Sequence, residues 1–253
     1  MQNQQRLERL IAAIRNLTPS QTAWVASVVE KFGMPKHFQR DLSSNLITSQ
    51  MLEDIGDTLR IHHAFSREPF SKDKFEYALE RIANECGFDA KLASRGNPGY
   101  DIEINGERFS LKTEAAAKIS VNKIHISKFM ELGGGQWEDN PEDLLGLREQ
   151  FFEHMKQYQR ILVLRKLPDT DLGQRYELAE IPKSLLLEAK HGEFEMKVDS
   201  TQKGAKPGYC YVPRKEGPLH FALYFDGGGE RKLQIKHLSK ALCTIHAEWF
   251  FAT

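Results

Sequence analysis

Residues 98 to 114 read PGYDIEINGERFSLKTE, and they bring a carboxylate and an ammonium to one place. Asn105-Gly106 predicts a two-residue hairpin turn, because both central positions of a type I′ turn need positive φ. Such a turn sets Asp101 opposite Ser110, with Lys112 as the diagonal neighbour on the same face. The other face carries Ile102, Phe109 and Leu111 and seeks a core. The expectation is a dry face and a wet face, the latter presenting Asp101, Ser110 and Lys112. A carboxylate can hold a divalent cation, and a lysine beside it can orient or activate a water. Together they are the minimum for metal-assisted hydrolysis of a phosphodiester. The same residue types also form ordinary surface ion pairs, as expected of Glu103 opposite Arg108. The hairpin alone leaves both readings open.

The elements around it follow from pattern. Residues 4 to 32 read as helix, with Leu7, Leu10, Ile11 and Ile14 on one stripe and a break at Thr18-Pro19, a cap and first turn. More helix is predicted around residues 50 to 60. Ser71 caps a helix over 72 to 86, with Phe75, Leu79, Ile82 and Cys86 on its apolar face and Gly87 as its stop. Glu76 and Glu80 lie off that face. After the hairpin, 124 to 126 read as a short strand. Ser127 is then expected to cap a helix holding Phe129, Met130 and Glu131, ended by Gly133-Gly134-Gly135. A helix over 141 to 159 precedes a buried strand at 160 to 165, and 182 to 190 reads as a short helix. The remainder is rich in strands: 208 to 212, 219 to 225, 233 to 238 and 244 to 251. Asp226-Gly227-Gly228-Gly229 reads as a turn between two of them.

Composition bounds the class. The chain has 253 residues, 40% apolar and 28% charged, the profile of a globular protein. No apolar run long enough for a membrane span is seen, and the N-terminus lacks a signal-peptide core, so a cytoplasmic location is expected. Cys86, Cys210 and Cys243 are too scattered for a metal motif and are expected as free thiols. Net charge is zero, but the basic residues cluster. Residues 231 to 240 hold Arg231, Lys232, Lys236 and Lys240 with no acid. Residues 197 to 215 hold Lys197, Lys203, Lys206, Arg214 and Lys215 against Asp199. Residues 108 to 128 are likewise basic. A local patch of this kind suits DNA, where phosphate contacts need no high overall pI.

Several chemistries are set aside. No Gly-rich loop precedes a Lys-Ser/Thr pair, so no nucleotide cofactor is expected. No nucleophile elbow or zinc-protease pattern occurs. His62-His63 reads as ordinary polar residues, because neighbours in sequence point apart. Trp137, Trp249 and the phenylalanines read as core.

A helix, a strand with an acid, a turn and a strand with a lysine, in that order, resemble the core of the PD-(D/E)xK nucleases. The pattern departs at two points. Ser110 stands two residues before Lys112, where an Asp or Glu is usual, and the proline is displaced to Pro98. The segments NPGYDIEI, LKTEAA, HISKFMELG, EIPKSLLLEAK, KPGYCYV, LYFDGGGERKLQIKHL and HAEWFF are similar, in order, to segments of the SmaI-type restriction endonucleases. The similarity runs from about residue 57 to the end, and more weakly through the N-terminal helices.

The resemblance implies an α/β fold: a restriction-endonuclease-like core with a central mixed sheet flanked by helices, a helical N-terminal part and a strand-rich C-terminal part. One nuclease domain over 1–253 is expected, with a helical subregion at 1–65, a catalytic core at 66–165 and DNA recognition at 166–253. It implies a type II endonuclease that cuts double-stranded DNA at CCCGGG to blunt ends, acts as a homodimer and depends on Mg2+. The alternatives are a MutH-like DNA nicking enzyme and a non-catalytic DNA-binding protein on a nuclease fold. Carried over by position, Asp101 is the metal-binding acid and Lys112 the catalytic lysine. The second acid stays open among Glu131, from the helix expected there, Glu114, two residues beyond Lys112 on the same face, and Glu76, on the preceding helix. Arg231, Lys232, Lys236, Lys203 and Lys206 are the candidates for contact with DNA.

Overall fold

The computed structural model describes residues 2–94, 96, 99–116, 118–133, 137, 140–201 and 206–252. Pro98, Gly134, Gly135 and Lys203 lie outside the described residues. The chain opens with α1 (Gln2–Ile14) and α2 (Pro19–Gly33). Thr18 caps α2 in a full capping box with Gln21, which satisfies two of the amides a helix start leaves without intrahelical partners. Strand β1 (Lys36–Arg40) and helices α3 (Ser49–Phe65) and α4 (Lys72–Glu85) follow. Ser71 caps α4, and Gly87 stands beyond its end with positive φ, as expected.

The hairpin region comprises β2 (Ala90–Leu92), β3 (Ile102–Ile104) and β4 (Glu107–Glu114). Its turn has positive φ at both Asn105 and Gly106, and the register pairs Ile102 with Phe109 and Glu103 with Arg108. The Asp101 amide also donates to the carbonyl of Phe109, the partner of Ile102, and so ties Asp101 to β4. Then come β5 (Lys123–Glu131), α5 (Asp143–Met155), β6 (Arg160–Thr170), β7 (Gly173–Glu180), α6 (Lys183–Leu187), β8 (Glu193–Met196), β9 (Gly208–Val212), β10 (Phe221–Asp226), β11 (Lys232–Ser239) and β12 (Thr244–Phe251).

These strands form two sheets. A seven-stranded mixed sheet has the order β1-β12-β7-β6-β4-β3-β2, and a five-stranded antiparallel sheet has the order β5-β11-β10-β9-β8. The β4–β6 pair is parallel, and the crossover between them contains α5. One face of the large sheet, through Ile102, Phe109, Leu111, Leu162 and Leu164, packs on α3 and α4. The opposite face, through Ile161 and Val163, packs with α5 and the inner face of the small sheet. The large sheet is thus covered on both sides. The expected wet face of β4 is therefore not open: Ser110, Lys112 and Glu114 are all buried, because the second sheet and α5 lie over them.

The helix expected from Ser127 is absent. Residues 123 to 131 are one strand, held by antiparallel pairing with β11 from Lys123↔Ser239 to Glu131↔Lys232. Local helix signals lose here to cross-strand partners that lie a hundred residues away in sequence. Strands β1, β2, β7 and β8 were also not expected from pattern. The three cysteines are free thiols. Trp137 and Trp249 are core residues, each donating its indole N–H to a backbone carbonyl. Among the described residues, no helix is long and apolar enough to cross a membrane.

Candidate active site

A cleft of about 770 Å3 opens where β4 and β5 diverge beside the first turn of α4. Asp101, Lys112, Lys72, Glu131 and His154 are among the residues that line it. Its shape follows from the hairpin. The tight turn fixes Asp101 against β4, and the Leu111 amide then donates to Asp101 Oδ2 at 2.6 Å, with Ser110 Oγ 3.4 Å from the same oxygen. An amide donor of this kind holds the carboxylate in one orientation. Its other oxygen, Oδ1, accepts from Lys72 Nζ at 2.7 Å. Lys72 Nζ also lies 3.0 Å from Glu76 Oε1, one helical turn along α4. Asp101 and Glu76 therefore share one ammonium. Desolvation works against the charge on Lys72, but its bonds to Asp101 and then Glu76 outweigh that, and its pKa is raised.

Lys112 stands differently. It is buried, and its ammonium lies 5.4 Å from the centroid of the Phe129 ring. Burial pushes its pKa down to about 8; Asp101 pulls the other way, and Lys72 adds a repulsion. Behind it stand His154 and Tyr158. Burial, then the charge on Lys112, holds His154 down at about 4, so its ring is neutral at pH 7. Burial, then Asp101, raises Tyr158. Neither His154 Nε2 nor the Tyr158 hydroxyl has a hydrogen-bond partner among the described residues. His154 and Phe129 line the cleft beside Lys112, and the low polarity of their rings strengthens the charge interactions there.

The three candidates for the second acid separate by geometry. Glu114 lies two residues beyond Lys112, but its carboxylate takes Arg165 Nε at 2.5 Å and the His125 amide at 2.9 Å. The fully buried Arg165 also pairs with Glu177 and donates to the carbonyls of Ser120 and Lys123. Glu114 is thus tied into a structural ion network and does not line the cleft. Glu131 does line it, from the end of a strand, not from a helix. Its carboxylate is 73% exposed and pairs with Lys128 at 2.8 Å. Glu76 is not among the residues that line the cleft, but it alone of the three shares a cation with Asp101.

The donor chemistry suits a hard divalent cation. Two carboxylates sit within 3.0 Å of one ammonium nitrogen, and among the described residues no cluster of three or more acidic, histidine or cysteine side chains gathers. Mg2+ accepts such a sparse set, since it keeps several waters and takes oxygens from phosphate.

The basic candidates lie on and beside the small sheet. Lys236 sits 3.5 Å from the Tyr224 ring centroid, on a face with Tyr209 and Tyr211, which stack at 5.2 Å. Arg231 lies over the Trp137 ring, Lys232 lies 3.5 Å from Glu230, and Lys206 Nζ donates to the Ser200 carbonyl. Because β5 pairs with β11, Lys232 and Lys236 share a sheet with the strand that lines the cleft. The reading from sequence missed Lys72, His154, Tyr158 and the tyrosine face. Only Lys72 carried a signal, as the first residue of a capped helix four residues before Glu76. His62 and His63 are satisfied, His63 by the Tyr176 hydroxyl at 2.8 Å.

A family model described as a type II site-specific deoxyribonuclease, SmaI, matches residues 10–251. The type II restriction enzyme SmaI of Serratia marcescens is 44% identical over 224 residues, 88% of this chain and 88% of that one. No solved structure matches.

Proposed function

Because the chain belongs to the SmaI family of type II site-specific deoxyribonucleases, we propose that the cleft at Asp101 and Lys112 is where it hydrolyses DNA. The observation that carries this is the shared ammonium: two carboxylates, Asp101 and Glu76, converge on one cation beside a buried lysine. Asp101 and Glu76 would hold Mg2+. That ion supplies Lewis-acid polarisation of the scissile phosphate and acidifies the attacking water. The Leu111 amide keeps the Asp101 carboxylate aimed into the cleft. Lys112 orients the attacking water or takes its proton, a role for which a pKa near 8 is well matched. Phe129 and His154 give that exchange an aromatic wall.

The substrate is double-stranded DNA, cut at CCCGGG to blunt ends, as the family resemblance implies. A palindrome calls for a two-fold homodimer, each protomer cutting one strand. The exposed stripe of Leu7, Leu10 and Ile11 on α1 is compatible with a second copy. Arg231, Lys232, Lys236 and Lys206 are the candidates for the DNA surface. Those that read guanine would bind its O6 and N7 in the major groove. The enzyme acts in the cytoplasm. Incubating the purified protein with supercoiled plasmid and Mg2+, then sequencing the ends, tests this reading. Linear product with blunt ends at CCCGGG is expected. Nicked circles alone point to the MutH-like alternative, and intact plasmid bound by protein points to a non-catalytic one.

A further inference from the structure

Lys72 is the first residue of α4, a poor place for a cation. Helix N-termini carry partial positive charge and favour acids there. Its spacing to Glu76 also runs in the weaker direction, since an acid N-terminal to a lysine is the better i,i+4 order. Helix stability therefore does not account for Lys72. What accounts for it is Asp101, a residue from a different element, 2.7 Å away. The ammonium lies between the two carboxylates that the proposed function assigns to the metal. With a side chain 38% exposed on a flexible stem, it is free to leave.

We propose that Lys72 is a built-in counter-cation: it occupies the cation position between Asp101 and Glu76 in the DNA-free enzyme and must vacate it for a divalent ion to bind. An incoming DNA backbone offers the ammonium phosphate oxygens in exchange for the carboxylates. Metal and DNA then raise each other's affinity, because each favours the form in which Lys72 has moved. The free enzyme holds its site closed to metal and opens it on the substrate. Lys72 is a positioning residue in this scheme, and the scheme rests on the reading of Asp101 and Glu76 as the metal pair.

The test is calorimetric titration of the full chain with Mn2+ alone, without DNA. Lys72→Gln should bind Mn2+ about two- to fivefold more tightly than wild type, the scale expected for removing one competing, partly exposed ion pair. Lys72→Arg, which keeps the charge, should bind as wild type does. Adding Asp101→Asn to Lys72→Gln should abolish the gain. Lys72→Met, which keeps the stem, serves as a second neutral variant should Lys72→Gln fold poorly. No tightening in either neutral variant, with Asp101→Asn still weakening Mn2+ binding, overturns the counter-cation and leaves the metal pair standing. Mn2+ binding that ignores Asp101→Asn in both backgrounds overturns the metal pair itself, and the counter-cation with it.

Discussion

Two cations meet the same face of β4 and live by opposite rules. Arg165 is fully buried and fully engaged: Glu114, Glu177 and two backbone carbonyls take its guanidinium, while Lys240 supports Glu177 from 2.7 Å. Lys112, two residues before Glu114, is also buried, but among the described residues it has an aromatic ring and a depressed pKa in place of a hydrogen-bonded carboxylate. The first arrangement stabilises a fold and leaves no group over for chemistry. The second costs stability and leaves an ammonium with a depressed pKa in a cleft. That contrast separates scaffold from site more cleanly than residue type does, since both regions hold acids and bases in similar number.

The largest expected effect lies on the scaffold side. Arg165→Met strands Glu114 and Glu177 in the interior without their partner, and should cost about 3–5 kcal/mol in denaturant unfolding. A smaller loss would mean that the network is looser than its geometry. Next comes acid. Burial, then neighbouring His62, holds His63 down at about 4 against 6.5 for a free imidazole. The unfolded chain therefore binds more protons in that window, and stability falls as pH drops from 6.5 towards 4. His63 accounts for up to about 3 kcal/mol of this, at 1.36 kcal/mol per unit. Melting temperature against pH should show it, with a shallower fall in His63→Gln; an equal slope would remove His63 as the cause.

On the site side, Glu76→Gln should lower cleavage about 100- to 1000-fold, the scale of losing one preorganised electrostatic contact to the developing charge, while leaving stability nearly unchanged. The smallest effect belongs to Glu131→Gln. Its exposed pair with Lys128 should contribute under about 1 kcal/mol to stability, with cleavage within a few-fold of wild type. A large loss of cleavage there would move the second acid from Glu76 to Glu131.

The sequence made the hairpin legible because its cause is local. Asn105-Gly106 sets the turn, the turn sets the register through Ile102 and Phe109, and that brings the Asp101 carboxylate to 3.4 Å from Ser110 Oγ. The helix caps at Thr18 and Ser71 are legible for the same reason. What sequence could not show depends on partners brought in by topology. Ser127 to Glu131 carries a helix-like start and good helix formers, yet pairing with β11 makes it a strand. Glu114 has the right parity for the site, but Arg165 arrives from the parallel neighbour β6 and takes it. Lys72 meets Asp101 only because the hairpin carries that carboxylate to the start of α4. Parity along β4 was right, whereas the open wet face was not, because nothing in those residues announces that a second sheet will lie across them.

We propose that Lys112 is held at a cost for its chemistry. Its folded pKa of about 8 lies below the ordinary 10.5, so the cost of burying its charge is fully present below pH 8 and fades only as pH rises towards 10.5. Lys112→Met should therefore be more stable than wild type at pH 7, by about 1–3 kcal/mol. The same protein should bind duplex DNA and fail to cut it in the presence of Mg2+. Unfolding and plasmid cleavage measured on one preparation give the answer. Higher stability with lost cleavage is the predicted result; retained cleavage, or a loss of stability like that expected of Arg165→Met, would contradict the account.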